Sequence, residues 1–249
     1  MLLRSIPYKY INVKVADIAL SGGDRSVSYS YPIGSRTKTI NAHSLDYDIY
    51  LKEQKFVPRN NKGTGVFLDE YLPFHPDYLR MRQKPFSKYE EYYSLLCRFF
   101  KYLEDVYGSK IVIAAHPRSN YEDHPDYFDG RRVIKGKTVE LVRDAGFVIA
   151  HSSTSINFAV LYKKPLLFIT TDSLQKSMQG EWIKSMASSL GKKVINISKT
   201  THLDLNSELV IDEKIYETYK NAYIKKNGSE ETFFWQIYAD EIKTLRCEN

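Results

Sequence analysis

From about residue 64 the chain alternates short, continuous apolar runs with stretches whose apolar positions recur every three or four residues. The runs are Val66-Phe67-Leu68, Ile111 to Ala115, Phe147 to Ala150, Leu166 to Ile169 and Val194 to Ile197. Runs of this length without polar alternation belong to strands buried on both faces. The helical pattern is clearest at Tyr92, Leu96, Phe99, Leu103 and Val106, which share one helix face. Ser87 and Glu90 carry the spacing of a capping box at its start, and Gly108 stops it. Further helices are predicted from Thr138 to a stop at Gly146, from the hydroxyl-rich residues after Ala150 to Lys163-Lys164, and from Trp182 to Leu190. Five buried strands separated by helices predict an α/β fold, a Rossmann-like parallel sheet with helices on both faces.

The flanks read differently. Residues 1–60 hold an extended stretch around Ile11 to Val15, a Ser21-Gly22-Gly23 turn and the segment His43 to Asp48. That is too little for a second complete α/β domain. It reads as a partial N-terminal subdomain or the remnant of an acceptor domain, with residues 61–249 forming the Rossmann-like domain and its C-terminal helices. Two tyrosine-rich helices are predicted at about 212–226 and 229–246. The second has Ser229 as N-cap, Glu230 and Glu231 in its first turn, and Phe234, Tyr238 and Leu245 on one face.

Composition narrows the partners. A length of 249 residues suits one large domain plus a small one. A net charge of +6 favours anionic partners. No basic run or nucleic-acid motif is present, so nucleic acid is not the expected partner. A phosphate-binding cleft and adhesion to anionic lipid both remain. Cys97 and Cys247 have no metal-ligand spacing, and Cys97 reads as a reduced, buried thiol. With no signal peptide and no apolar run of membrane-spanning length, the expected location is cytoplasmic, extending to peripheral association with the inner membrane. Twenty tyrosines suit partly wet clefts and interfaces, and they suit an AT-biased genome equally well.

In open α/β sheets ligands bind beyond the carboxyl ends of the strands. Three polar clusters fall there. Asp69-Glu70 follows Leu68, His116-Pro117-Arg118 follows Ala115, and His151 to Ser155 follows Ala150. Asp69 or Glu70 would supply a general base for an acceptor hydroxyl. His116 would donate to a phosphate oxygen and act as general acid, with Pro117 fixing the turn and Arg118 pairing with phosphate or carboxylate. Ser152, Ser153, Thr154 and Ser155 stand where hydroxyls and helix-N-terminal amides would hold an anion; one of them would suffice as a cap. The His-Pro pair recurs at His75-Pro76 and His124-Pro125, and of these His75 is a secondary candidate because it lies near the acidic pair. Tyr71 and Tyr78 are further candidates for a sugar pocket. Asp46-Tyr47-Asp48 matches a metal-binding spacing by letter only, reads as a helix start, and no metal site is expected.

The stretch Ile113 to Arg118, then Thr138 to Val142, then His151 to Leu161 with Lys163-Lys164-Pro165, resembles the C-terminal domain of bacterial CMP-sugar glycosyltransferases. That group includes sialyltransferases, polysialyltransferases and capsular Kdo transferases of the GT-B fold. The resemblance spans roughly residues 64–200. It implies that His116 contacts the CMP phosphate, that Ser152, Ser153 and Thr154 hold it, and that Asp69 or Glu70 is the base. In the family form glycine follows the acidic motif, where this chain has Tyr71.

The implied function is metal-independent, inverting transfer of a sialic-acid-like sugar or Kdo from a CMP donor to a glycan or lipid-linked acceptor, with no cofactor beyond that donor. A UDP-sugar transferase or epimerase of the same fold is the alternative enzyme. It would be expected to grip the ribose with late-helix acids, where only Asp172 stands. A non-catalytic polysaccharide assembly subunit is the alternative outside catalysis.

Overall fold

The computed structural model describes residues 13–26, 32–59, 61–82, 84–199 and 202–247. The chain divides into two compact units, one of residues 56–216 and one drawing on residues 1–55 and 217–249. The C-terminal helices thus group with the N-terminal residues rather than with the sheet.

In the smaller unit, β1 (Ile18–Ser21) and β2 (Lys38–Asn41) pair in parallel. Val13 to Ala16 form no strand, and Ile11 and Asn12 lie outside the described residues. Helix α1 (Leu45–Glu53) opens with Asp46 and Asp48 in its first turn, so Asp46-Tyr47-Asp48 is a helix start. Two acids favour that position because the first turn exposes unpaired N–H groups.

The larger unit carries a six-stranded, all-parallel sheet flanked by helices. Its strands are β3 (Asn61–Leu68), β4 (Lys110–Ala115), β5 (Val133–Lys135), β6 (Ala145–Ala150), β7 (Leu166–Thr170) and β8 (Val194–Asn196). The order across the sheet is β5-β4-β3-β6-β7-β8. All five apolar runs became strands. β5 was not expected: it is three residues long, follows a polar loop, and Lys135 ends it. The helices include α2 (Asp77–Met81), α3 (Tyr89–Tyr107), α4 (Thr138–Asp144), α5 (Ile156–Leu161), α6 (Asp172–Gln175), α7 (Met178–Ser189) and α8 (Leu205–Glu208).

Helix α3 packs on β4, burying Tyr92, Leu96, Phe99, Phe100 and Leu103. Val106, in its last turn, is exposed. Its start departs from the capping box, since Ser87 Oγ donates to Glu91 and to a carbonyl instead of capping, and Lys88 is the N-cap. Its end is as expected, with Gly108 at φ +62°, the left-handed stop glycine adopts freely. Cys97 is half-buried and reduced; its thiol lies against the Tyr127 carbonyl, and burial pushes its pKa up to about 11.

Gly146 does not stop α4. The helix ends at Asp144, and Gly146 is the second residue of β6. A Cβ there would meet the Lys62 carbonyl oxygen at 2.2 Å, beside the register shift between Asn61 and Gly65. Glycine is required for the approach of two backbones, not for a turn.

The smaller unit is completed from the C-terminal side. α9 (Glu213–Tyr219) runs across the boundary into a π-helical turn at Lys220–Ile224, and α10 (Phe234–Cys247) ends the chain. Ser229 does not cap α10. Its approach is held by tertiary bonds: Glu231 takes the Tyr47 hydroxyl at 2.8 Å and Lys225 at 3.0 Å. Asp48 caps α10, accepting the Phe234 N–H at 2.8 Å. The Leu245 side chain lies outside the described residues. Among the described residues no helix is long and apolar enough to cross a membrane.

We predict that Gly146→Ala lowers unfolding free energy by about 1–3 kcal/mol, the usual effect of forcing a methyl group into a packed interior. Urea denaturation measures it, and an unchanged midpoint would show that β3 and β6 can separate freely at this point.

Candidate functional site

Counted from β3, the strand order is 3-2-1-4-5-6, the doubly wound arrangement in which the sheet reverses direction between the first and fourth strands. Here those are β3 and β6. Connections leave their carboxyl ends in opposite directions, and a crevice opens between them. A cleft of about 600 Å³ occupies that place, and Glu70, His75, His116, Ser153, Thr154 and Ser155 line it together.

The two acids after β3 have separate fates. Asp69 is buried and turns towards β4. Its Oδ1 accepts the Tyr71 N–H at 3.0 Å, and its Oδ2 accepts the His116 N–H at 3.2 Å and the Tyr121 hydroxyl at 3.0 Å. Burial raises its pKa to about 6 against the lowering effect of those bonds. It does not line the cleft. Asp69 therefore fixes the loop that presents His116, and Glu70 is left as the base candidate.

Glu70 turns towards β6. Its Oε1 accepts the Ser152 N–H at 2.6 Å and its Oε2 accepts the Ser152 hydroxyl at 3.0 Å. Burial is the main cause that raises its pKa to about 7, with the neighbouring Asp69 charge adding and the Ser152 bonds opposing. A carboxyl group titrating near neutrality inside a cleft suits proton transfer at physiological pH.

Tyr71 has φ +52°, the left-handed region that costs an ordinary residue about 1–2 kcal/mol. Glycine stands here in the family that the motifs resemble. In this chain two hydrogen bonds hold the conformation. The Tyr71 N–H is bound by Asp69, and its hydroxyl donates to Asn120. Tyr71 thus belongs to the loop's framework, whereas Tyr78, buried in α2, lines the cleft.

His116 is half-buried at the end of β4. Its Nδ1 accepts the Arg118 N–H at 3.2 Å, which leaves Nε2 to carry the proton of the neutral ring. Burial lowers its pKa, and the neighbouring His75 and Arg118 lower it further. The His75 ring lies 5.2 Å away, edge to face. The resting form is neutral, so His116 offers a hydrogen bond from Nε2 rather than a ready proton. An anion in the cleft would reverse that balance. Arg118 is exposed, lies 3.6 Å from Asp77 and does not line the cleft.

The hydroxyl cluster also divides. All four line the cleft, but the Ser152 hydroxyl already donates to Glu70, which leaves those of Ser153, Thr154 and Ser155 for a ligand. Ser153 Oγ accepts the Ser155 N–H at 3.3 Å. Helix α5 has only six residues, so its dipole contributes little and anion holding would rest on hydroxyls and turn amides. Beneath them His151 is fully buried, its Nδ1–H donating to the Ile169 carbonyl at 2.7 Å and its Nε2 accepting from Tyr92 at 2.9 Å. Burial lowers its pKa to about 4, which makes it a neutral core residue.

The cleft wall on α7 was not foreseen. Gln179, Trp182 and Met186 line it, at positions that share one helix face. Nor was the aromatic cluster around Asp69, where Tyr93 stacks on Tyr127 at 4.6 Å and bonds the Tyr121 hydroxyl at 2.9 Å. Asp172 binds Asn196 at 2.7 Å and Lys199 at 3.0 Å, outside the cleft. Among the described residues no group of three His, Cys, Asp or Glu side chains could hold a metal ion. No protein-family model matches the chain, and no curated protein matches it.

A carboxyl group with a folded-state pKa above its unfolded value stabilises the fold below the unfolded pKa and loses that contribution as pH rises through the folded one. For Glu70 the window is from about 4.5 to about 7. His151 acts with the opposite sign, its contribution being lost as pH falls from 6.5 towards about 4. Glutamine at 70 can accept from the Ser152 N–H and donate to its hydroxyl, yet cannot titrate. We predict that Glu70→Gln reduces the loss of stability that the unsubstituted protein shows between pH 5 and 8, leaving the part below about pH 6 that Asp69 contributes. Urea midpoints across that range measure it, and parallel curves for the two proteins would contradict the assignment.

Proposed function

We propose that the chain is a glycosyltransferase that moves an acidic sugar, sialic-acid-like or Kdo, from a CMP donor to a surface glycan or lipid-linked acceptor. The observation that carries this is the meeting of three groups in one cleft at the sheet reversal: the Glu70 carboxyl group, the His116 imidazole and the hydroxyls of residues 153–155. The motif resemblance supplies the donor class; the cleft supplies a matching chemistry.

In this reading Glu70 removes the proton of an acceptor hydroxyl as that oxygen attacks the anomeric carbon. The bond from that carbon to the CMP phosphate oxygen breaks on the opposite face, inverting the centre. The electron pair leaves with the phosphate, whose charge His116 Nε2–H and the hydroxyls of Ser153, Thr154 and Ser155 would receive. A monophosphate leaving group carries little enough charge for such neutral donors to hold. Asp69 acts from behind, fixing the His116 backbone. Asp172, the acid considered for a UDP-type ribose grip, is bound elsewhere, which disfavours that alternative.

The test is thermal denaturation with CMP, CDP, UMP, UDP and GDP on the unsubstituted protein, His116→Ala and Glu70→Gln. A ligand at a hundredfold excess over its dissociation constant stabilises by about 2.7 kcal/mol. We expect CMP alone to raise the midpoint by several degrees, His116→Ala to lose that shift and Glu70→Gln to keep it. With donor and acceptor supplied, Glu70→Gln should lower turnover by about 10²–10⁴-fold, the usual contribution of a general base. A preference for UDP would favour the UDP-sugar enzyme. No shift with any nucleotide would contradict the donor class.

A further inference from the structure

Trp182 is 53% exposed, although tryptophan is among the residues most deeply buried on average. It lies on α7, the helix that forms the side wall of the Glu70 cleft. Helical spacing explains the exposure. Ile183 and Ala187, four residues apart, are fully buried. Trp182 sits about 100° around the helix from Ile183, on the face it shares with Gln179 and Met186. All three line the cleft, and Met178, one turn before Trp182, is also exposed. A thioether and an indole therefore stand in a cleft whose other lining includes two carboxyl groups, two histidines and hydroxyls.

That division matches the division of a nucleotide. A phosphate or sugar needs hydrogen-bond donors and acceptors, whereas a heteroaromatic base needs a flat apolar surface and one group to meet its edge. Indole stacks on any base through its π face. A neighbouring carboxamide both donates and accepts, and so can pair with a base edge. We propose that Trp182, with Gln179 and Met186, forms the base subsite of the cleft: the nucleobase stacks on the Trp182 indole, and Gln179 meets its polar edge. The assignment rests on the proposed nucleotide-dependent function and adds where the base sits.

The chain has two tryptophans, Trp182 and Trp235, and the latter lies in the other unit, so Trp235→Phe leaves Trp182 as the only indole emitter. We expect CMP to quench that emission, and ribose 5-phosphate, which lacks a base, to leave it nearly unchanged. In calorimetry, Trp182→Ala should weaken CMP binding by about tenfold to a hundredfold, Trp182→Phe should recover much of it, and both should bind ribose 5-phosphate like the parent protein. Unaltered CMP affinity in Trp182→Ala, or saturable CMP binding without a change in emission, would overturn the subsite while leaving the nucleotide-dependent function standing. Equal weakening for CMP and ribose 5-phosphate would also overturn it, because Trp182 would then support the site generally. Absence of CMP binding to the parent protein would overturn both.

Discussion

The cleft depends on two consecutive carboxyl groups at the end of β3 that turn opposite ways. Successive side chains of an extended chain point in opposite directions. β3 is the strand at which the sheet order reverses, with β4 on one side and β6 on the other. Asp69 accordingly binds backbone at the end of β4, and Glu70 binds backbone and hydroxyl just beyond β6. Each carboxyl group satisfies amides that would otherwise be orphaned where the strands stop. The pair holds the ends of three strands in register, and the crevice between those ends becomes a shaped site rather than a gap.

The same arrangement sets the electrostatics. Burial raises both carboxyl groups above their ordinary range, Asp69 to about 6 and Glu70 to about 7, and the neighbouring Asp69 charge adds to the rise at Glu70. Their hydrogen bonds oppose that rise without cancelling it. On the other side of the cleft, burial and neighbouring cationic groups push His116 the opposite way. Glu70 is thus able to hold a proton near neutrality, and the His116 ring rests neutral with its single proton on Nε2.

Much of this was legible in the chain. Continuous apolar runs identified five of the six parallel strands because strands buried on both faces need no polar alternation. β5 was hidden, being a three-residue edge strand whose single half-buried side chain, Ile134, leaves no apolar run. The position of Glu70, His116 and residues 153–155 at one edge followed from where the runs end. The split between Asp69 and Glu70 did not, since it depends on which neighbouring strand each side chain meets. Gly146 was misread because a glycine required by a neighbouring carbonyl looks, in one dimension, like a helix stop. Ser229 was misread because Asp48, nearly two hundred residues away in sequence, supplies the cap. Trp182 fell within a predicted helix, but its face towards the cleft became visible only when Ile183 and Ala187 were seen to be the buried pair.

The central claim is that this crevice receives the phosphate of a nucleotide beside His116. The most direct measurement is a heteronuclear NMR titration of the His116 imidazole against pH, without and with saturating CMP. The account predicts a titration below the ordinary histidine range in the free protein, with the proton of the neutral ring on Nε2, and a marked upward move when CMP brings negative charge within hydrogen-bonding distance. A His116 titration that CMP leaves unchanged, although CMP is bound, would place the phosphate elsewhere and contradict the account.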